Sequence, residues 1–102
     1  MYVGETVHVR VKPSSAGQVI KEGTVVAEFW GPDVNPMTDQ AARDNPAATA
    51  LCSFDGHQSW ECRVDTTGWA PGIWTVRGKV DAYATPDEQA KGWAFSTFTL
   101  NP

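Results

Sequence analysis

Residues 3–12 alternate strictly: Val7, Val9 and Val11 fall on one side of an extended chain and Thr6, His8, Arg10 and Lys12 on the other. A period of two is the signature of a strand with one buried face. Pro13-Ser14-Ser15-Ala16-Gly17 breaks the pattern, and Lys21-Glu22-Gly23 predicts a second turn before a strand over residues 24–30. The two sides of that strand carry Val25, Ala27 and Phe29 against Val26, Glu28 and Trp30, so the period leaves open which side is core.

Residues 31–48 hold Gly-Pro-Asp, Asn-Pro, Arg-Asp-Asn-Pro and Ala-Ala-Thr, which predicts a long connection. Pro36 suits a first helical position and Thr38 a cap, so one short helical turn is expected near residues 38–43. Connections of this length in a compact domain are more often functional or mobile than incidental. Leu51-Cys52-Ser53-Phe54 and Trp60-Glu61-Cys62-Arg63-Val64 flank Asp-Gly-His-Gln-Ser and predict a hairpin. With Phe54 opposite Trp60, Cys52 falls opposite Cys62, and Cys52, Phe54, Trp60, Cys62 and Val64 share a core face. The next strand is expected from Ile73 to about Asp81, with Trp74, Val76 and Val80 inward and Thr75, Arg77 and Lys79 outward. A polar loop over residues 85–92 then leads to a last strand from Trp93 to Leu100. Its apolar positions change parity between Phe95 and Phe98, which calls for a bulge or for burial on both faces.

Six strands at this spacing, with at most one short helical turn in a long loop, predict an all-β fold: a single antiparallel immunoglobulin-like β-sandwich over residues 1–102. A small SH3-like barrel is the alternative. The length of 102 residues leaves no room for a second core. Scaling predicts a folded surface of roughly 5,700 Å² against about 16,000 Å² unfolded, enough burial to dispense with metals or dense disulfides. A net charge of −4 and a pI near 4.9 disfavour nucleic acid and anionic lipid as partners. No apolar run reaches the ~18 residues of a spanning helix, so no membrane partner is expected. With Met1 as the natural start, synthesis in a host cytoplasm without a signal peptide is expected.

Asp65-Thr-Thr-Gly68-Trp-Ala-Pro71-Gly72-Ile-Trp74-Thr-Val76 resembles the corner that joins the fifth and sixth strands in bacterial and phage immunoglobulin-like domains. Apart from the resemblance, Pro71 presets φ, Gly72 permits positive φ, and Trp74 is placed to cover the open end of the sandwich. From Tyr-Val-Gly-Glu-Thr-Val-His-Val-Arg-Val to Phe-Ser-Thr-Phe-Thr-Leu-Asn-Pro, the chain is similar to short structural proteins of tailed phages of actinobacteria. The 31–48 connection and the cysteine pair depart from that pattern. The resemblance implies a virion component: a capsid decoration or minor capsid protein, with a neck or tail accessory protein as the variant. Its implied partners are the major capsid protein or another virion protein, with contacts between neighbouring copies.

Candidate chemistry is sparse. His8 reads as a strand-surface histidine and His57 as a hairpin-tip residue, and neither has a metal-ligand partner at useful spacing. There is no nucleophile elbow, phosphate loop or metal motif, so neither catalysis nor a cofactor is expected. Asp33, Asp39 and Asp44 have no calcium-loop spacing. Glu28 reads as an exposed carboxylate beside a partly exposed Trp30. Cys52 and Cys62 admit either a cross-strand disulfide or two buried thiols. Among five tryptophans, Trp60 and Trp74 read as core and Trp69 as corner; Trp30 and Trp93 remain for an exposed contact with protein or sugar. An extracellular carbohydrate-binding or adhesion module is therefore the rival function. The partner contact is expected at Trp30, Pro32, Asp33, Val34, Pro36, Met37, Arg43 and Pro46.

Overall fold

The computed structural model describes the backbone of every residue except Pro13, Ala16, Gly17, Ile20, Lys21, Gln58, Pro86 and Asp87, and side chains outside residues 13–22, 58 and 81–94. In chain order the elements are β1 (Thr6–Val11), β2 (Ser14–Ser15), β3 (Gln18–Val19), β4 (Glu22–Trp30), α1 (Gln40–Arg43), β5 (Ala48–Leu51), β6 (Ser53–Phe54), β7 (Trp60–Asp65), β8 (Gly72–Thr85) and β9 (Glu88–Leu100). One sheet runs β1-β7-β6 and the other β5-β4-β8-β9, all antiparallel; β2 and β3 form a separate small hairpin.

The chain crosses between sheets three times: after β1, between β5 and β6, and between β7 and β8. This is the Greek-key order of an immunoglobulin-like sandwich, in which β1, β7 and β6 take the places of strands B, E and D. The strands β5, β4, β8 and β9 then stand as C′, C, F and G. A first strand is reduced to a parallel bridge between Tyr2 and Asn101.

The core lies between the sheets. Val25, Ala27 and Phe29 of β4 and Trp74, Val76 and Val80 of β8 face Val7, Cys52, Trp60 and Cys62 from the other layer. Val11 packs so closely on Gly78 that a Cβ there would stand 2.8 Å from a Val11 methyl. Gly78 is therefore fixed by sheet-to-sheet spacing. The molecule measures 45 × 29 × 17 Å and exposes 6162 Å², above the scaling expectation because it is elongated and thin.

Several expectations need correction. Glu22 and Gly23 belong to β4, so the predicted Lys21-Glu22-Gly23 turn does not hold at those two positions, and Lys21 lies outside the described residues. The predicted 85–92 loop does not hold at Thr85, which belongs to β8, or at residues 88–92, which belong to β9; Pro86 and Asp87 lie outside the described residues. Asp39, not Thr38, caps α1: its carboxylate accepts from Ala42 N at 3.3 Å. Of the two accounts of the parity change in β9, packing on both faces holds and no bulge is involved. Pairing with β8 is regular from Leu100 to Gln89, and Phe98 and Phe95 pack on opposite faces of the sheet, against Phe29 and Trp30.

Candidate functional site

The β7–β8 corner closes one end of the sandwich. Asp65 Oδ1 accepts hydrogen bonds from the Thr67 amide at 2.8 Å and the Thr67 hydroxyl at 2.6 Å. The Thr67 hydroxyl, and then its amide, hold the Asp65 carboxyl below its ordinary value. Gly68 follows at φ 83°. Gly72 has φ 135°, and a Cβ there would meet the Pro32 ring at 2.6 Å, so any other residue would suffer both strain and clash. Trp74 stacks on Trp69 with centroids 4.4 Å apart, and its Nε1–H donates to the Ala70 carbonyl at 2.8 Å. That bond from an aromatic near the start of β8 back to the upstream chain parallels the tyrosine corner of immunoglobulin domains. Thr66, fully buried, ties the corner to the N-terminal segment: its hydroxyl donates to Glu5 O and accepts from Gly4 N.

Cys52 and Cys62 are disulfide-bonded, with Cα atoms 4.2 Å apart. Cys52 sits where the chain leaves one sheet for the other: Leu51 still pairs with Val26 and Ser53 already pairs with Glu61. The bond joins that crossing point to the middle of β7, and both residues are buried. This is a structural staple within the core.

The outer face of the four-stranded sheet departs most from expectation. Register places Glu28 opposite Arg77 and Trp30 opposite Thr75, all pointing away from the sandwich core. Yet Trp30 is 1% exposed, Glu28 9% and Arg77 7%: the 31–47 connection folds back onto Trp30, and the Trp30 and Phe95 rings lie against Arg77. Trp30 Nε1–H donates to Ala42 O in α1, and Ala47 N to Phe29 O. Arg77 gives both Nε and Nη2 to Glu28 Oε1, at 2.9 and 2.7 Å, while its guanidinium lies over the rings of Trp30 and Phe95. A charged group this buried must be paired and hydrogen-bonded, and this one is. Glu28 is not an exposed carboxylate, and Trp30 is not an exposed contact. The patterning gave one clue: an aromatic and a carboxylate on the second side of β4, with an arginine at the matching position of β8.

The predicted partner-contact residues therefore divide. Trp30 and Pro36 are buried, and Arg43 and Pro46 are partly so. Arg43 is held to the Pro36 and Met37 carbonyls. Pro32, Asp33, Val34 and Met37 stay exposed on the rim of the folded-back connection. Pro32 abuts Gly72, which brings that rim next to Ile73, 60% exposed, at the end of the sheet where Tyr2 is also exposed. Sequence reasoning missed Ile73 and Tyr2. The Trp93 side chain lies outside the described residues.

The opposite face carries a shallow groove of about 300 Å³ lined by His8, Val9, Arg10 and Glu61. An Arg10–Glu61 ion pair at 2.9 Å bridges it, and His8 pairs in register with Arg63. No nucleophile or second carboxylate lines this groove. Among the described residues, no group of three or more His, Cys, Asp or Glu side chains converges to hold a metal, and every buried polar side-chain atom has a hydrogen-bond partner. No helix is long and apolar enough to cross a membrane. Comparison with family models, curated proteins and solved structures returns no match for this chain.

Proposed function

We propose that this chain is a non-enzymatic structural protein of a tailed-phage virion. It seats on the assembled particle as a capsid decoration or minor capsid protein, and its rim of exposed apolar residues makes the contact. The observation that carries this reading is the distribution of apolar surface. Apart from Tyr2, the large aromatics with described side chains are consumed by the core, the corner and the closed outer face, whereas Val34, Met37 and Ile73 stand exposed, Ile73 at the end of the four-stranded sheet beside Pro32. Exposed apolar side chains that lie together mark a protein contact, and Leu51, 73% exposed opposite Val26, stands apart from this rim. The resemblance to phage structural proteins supplies the kind of partner, the major capsid protein or a neighbouring virion protein. The buried Trp30, Trp60 and Trp74 offer no aromatic platform to a sugar ring, which weighs against the carbohydrate-binding alternative.

The rim replaces Trp30 as the attachment surface, and the test changes with it. Deleting residues 37–43 would strip the partner from the Trp30 indole and unfold the outer face, confounding folding with binding. Val34→Asp, Met37→Asp and Ile73→Asp together alter exposed positions only. The triple variant is expected to melt as the parent does and to be missing from purified particles, as read by quantitative mass spectrometry against the major capsid protein. Parental occupancy would contradict the assigned surface. Copy number in the same measurement separates a capsid position, with many copies, from a neck or tail position, with few.

A further inference from the structure

The four-stranded sheet ends on β9, which is 13 residues long and pairs with β8 alone. The other sheet edges are far shorter: β1 has 6 residues, β5 has 4 and β6 has 2. A long edge strand invites pairing with another chain unless proline, several charges, a bulge or a covering segment blunts it, and between residues 89 and 100 Lys91 is the single charge. No proline occurs between residues 88 and 100, and pairing with β8 is regular from Leu100 to Gln89.

Among the described residues, a covering segment lies at one end alone. Met1 N donates to Thr99 O, Asn101 N to Met1 O, and Val3 N to Asn101 O. These bonds define the direction of the backbone groups: in an antiparallel strand successive residues turn N–H and C=O alternately toward one neighbour and the other. Since Thr99 and Asn101 face outward, the odd-numbered residues from Gln89 to Thr97 also direct their backbone groups to the outer edge. Among the described residues, no strand lies beyond them.

We infer that this edge is a homodimer interface, in which β9 pairs antiparallel with β9 of a second copy across a two-fold axis at Trp93. Antiparallel self-pairing requires outward residues to oppose outward residues, and a two-fold at Trp93 engages every odd position from Gln89 to Thr97. Gln89 then stands opposite Thr97 of the other copy and Lys91 opposite Phe95, so the one outward-set charge never meets its own image. Moving the axis to Lys91 sets two lysines face to face, which disfavours that register. The contact is isologous and closes on itself, joining two four-stranded sheets into one. It is independent of the virion reading, since it rests on the open edge of β9 and the order of residues along it.

Thr97→Pro tests the edge selectively. It removes an outward amide and leaves the ladder to β8 intact, and proline is tolerated on edge strands for that reason. Sedimentation equilibrium of the full chain is expected to show twice the monomer mass on concentration, and the Thr97→Pro chain only the monomer mass. Amide hydrogen exchange of the unaltered protein at low and high concentration provides the second reading. Exchange at Gln89, Lys91, Trp93 and Thr97 is expected to slow at least tenfold with dimerisation, while that of exposed Thr67 stays unchanged. A parent that is monomeric up to its solubility limit overturns the inference. So does a dimer whose β9 amides gain no protection, whether or not the proline variant folds.

Discussion

The two outer faces of this sandwich obey the same alternation and end in opposite environments. On the three-stranded sheet, Thr6, His8 and Arg10 point to solvent, and the Arg10–Glu61 pair is 62% and 39% exposed. On the four-stranded sheet, Glu28, Arg77 and Trp30 occupy equivalent outward positions but are buried, Trp30 against the 31–47 connection and Arg77 against the Trp30 and Phe95 rings. Period two tells which residues leave the core; whether they reach water depends on what folds over them. A connection that returns onto Trp30 holds that ring over Arg77, and an outward-pointing ion pair becomes a buried one.

The largest test of that difference is the pair of truncations Arg77→Ala and Arg10→Ala. Removing Arg77 leaves Glu28 buried without its counter-charge and strips a cation from the Trp30 and Phe95 rings, which is expected to cost about 3–5 kcal/mol. Removing Arg10 should cost no more than about 1 kcal/mol, since water and salt already screen that pair. Chemical denaturation measures both. Equal losses would erase the distinction between the faces.

A smaller effect belongs to the corner, at the C-terminal end of β7. Asp65 is fully exposed, and its carboxyl is lowered by the Thr67 hydroxyl and amide. A folded-state pKa below the unfolded value means stability that is present above the ordinary carboxylate range and fades as pH falls through it. In Thr67→Ala the hydroxyl is gone, so Asp65 should titrate at higher pH by NMR, nearer the ordinary carboxylate value. An unchanged titration would assign the shift to another cause.

The legible parts of the fold were those in which one residue set faces the core and the other faces water. Strand β1, the Phe54–Trp60 hairpin and the Gly72–Trp74 corner are of this kind, each marked by alternation, a turn residue or an aromatic at a fixed place. Strand β4 was ambiguous for a physical reason: both sides are buried, so its pattern is apolar on both. The same double burial explains the parity change from Phe95 to Phe98. Arg77 misleads because charge normally marks solvent, and only three-dimensional pairing with Glu28 reveals otherwise. Of the expected contact residues, Trp30 and Pro36 were read from composition and loop length, which do not show that the connection closes on itself.

Closure of that connection is the central claim, and the Trp30 indole reports it directly. Its Nε1–H donates to Ala42 O at 2.6 Å beneath the covering segment. Hydrogen exchange of the tryptophan indole protons by NMR, with the Trp30 signal assigned by its loss in Trp30→Phe, is expected to show this proton exchanging far more slowly than a solvent-exposed indole. Exchange at the rate of an open indole would mean that the 31–47 connection stands away from the sheet and that the two outer faces are alike after all.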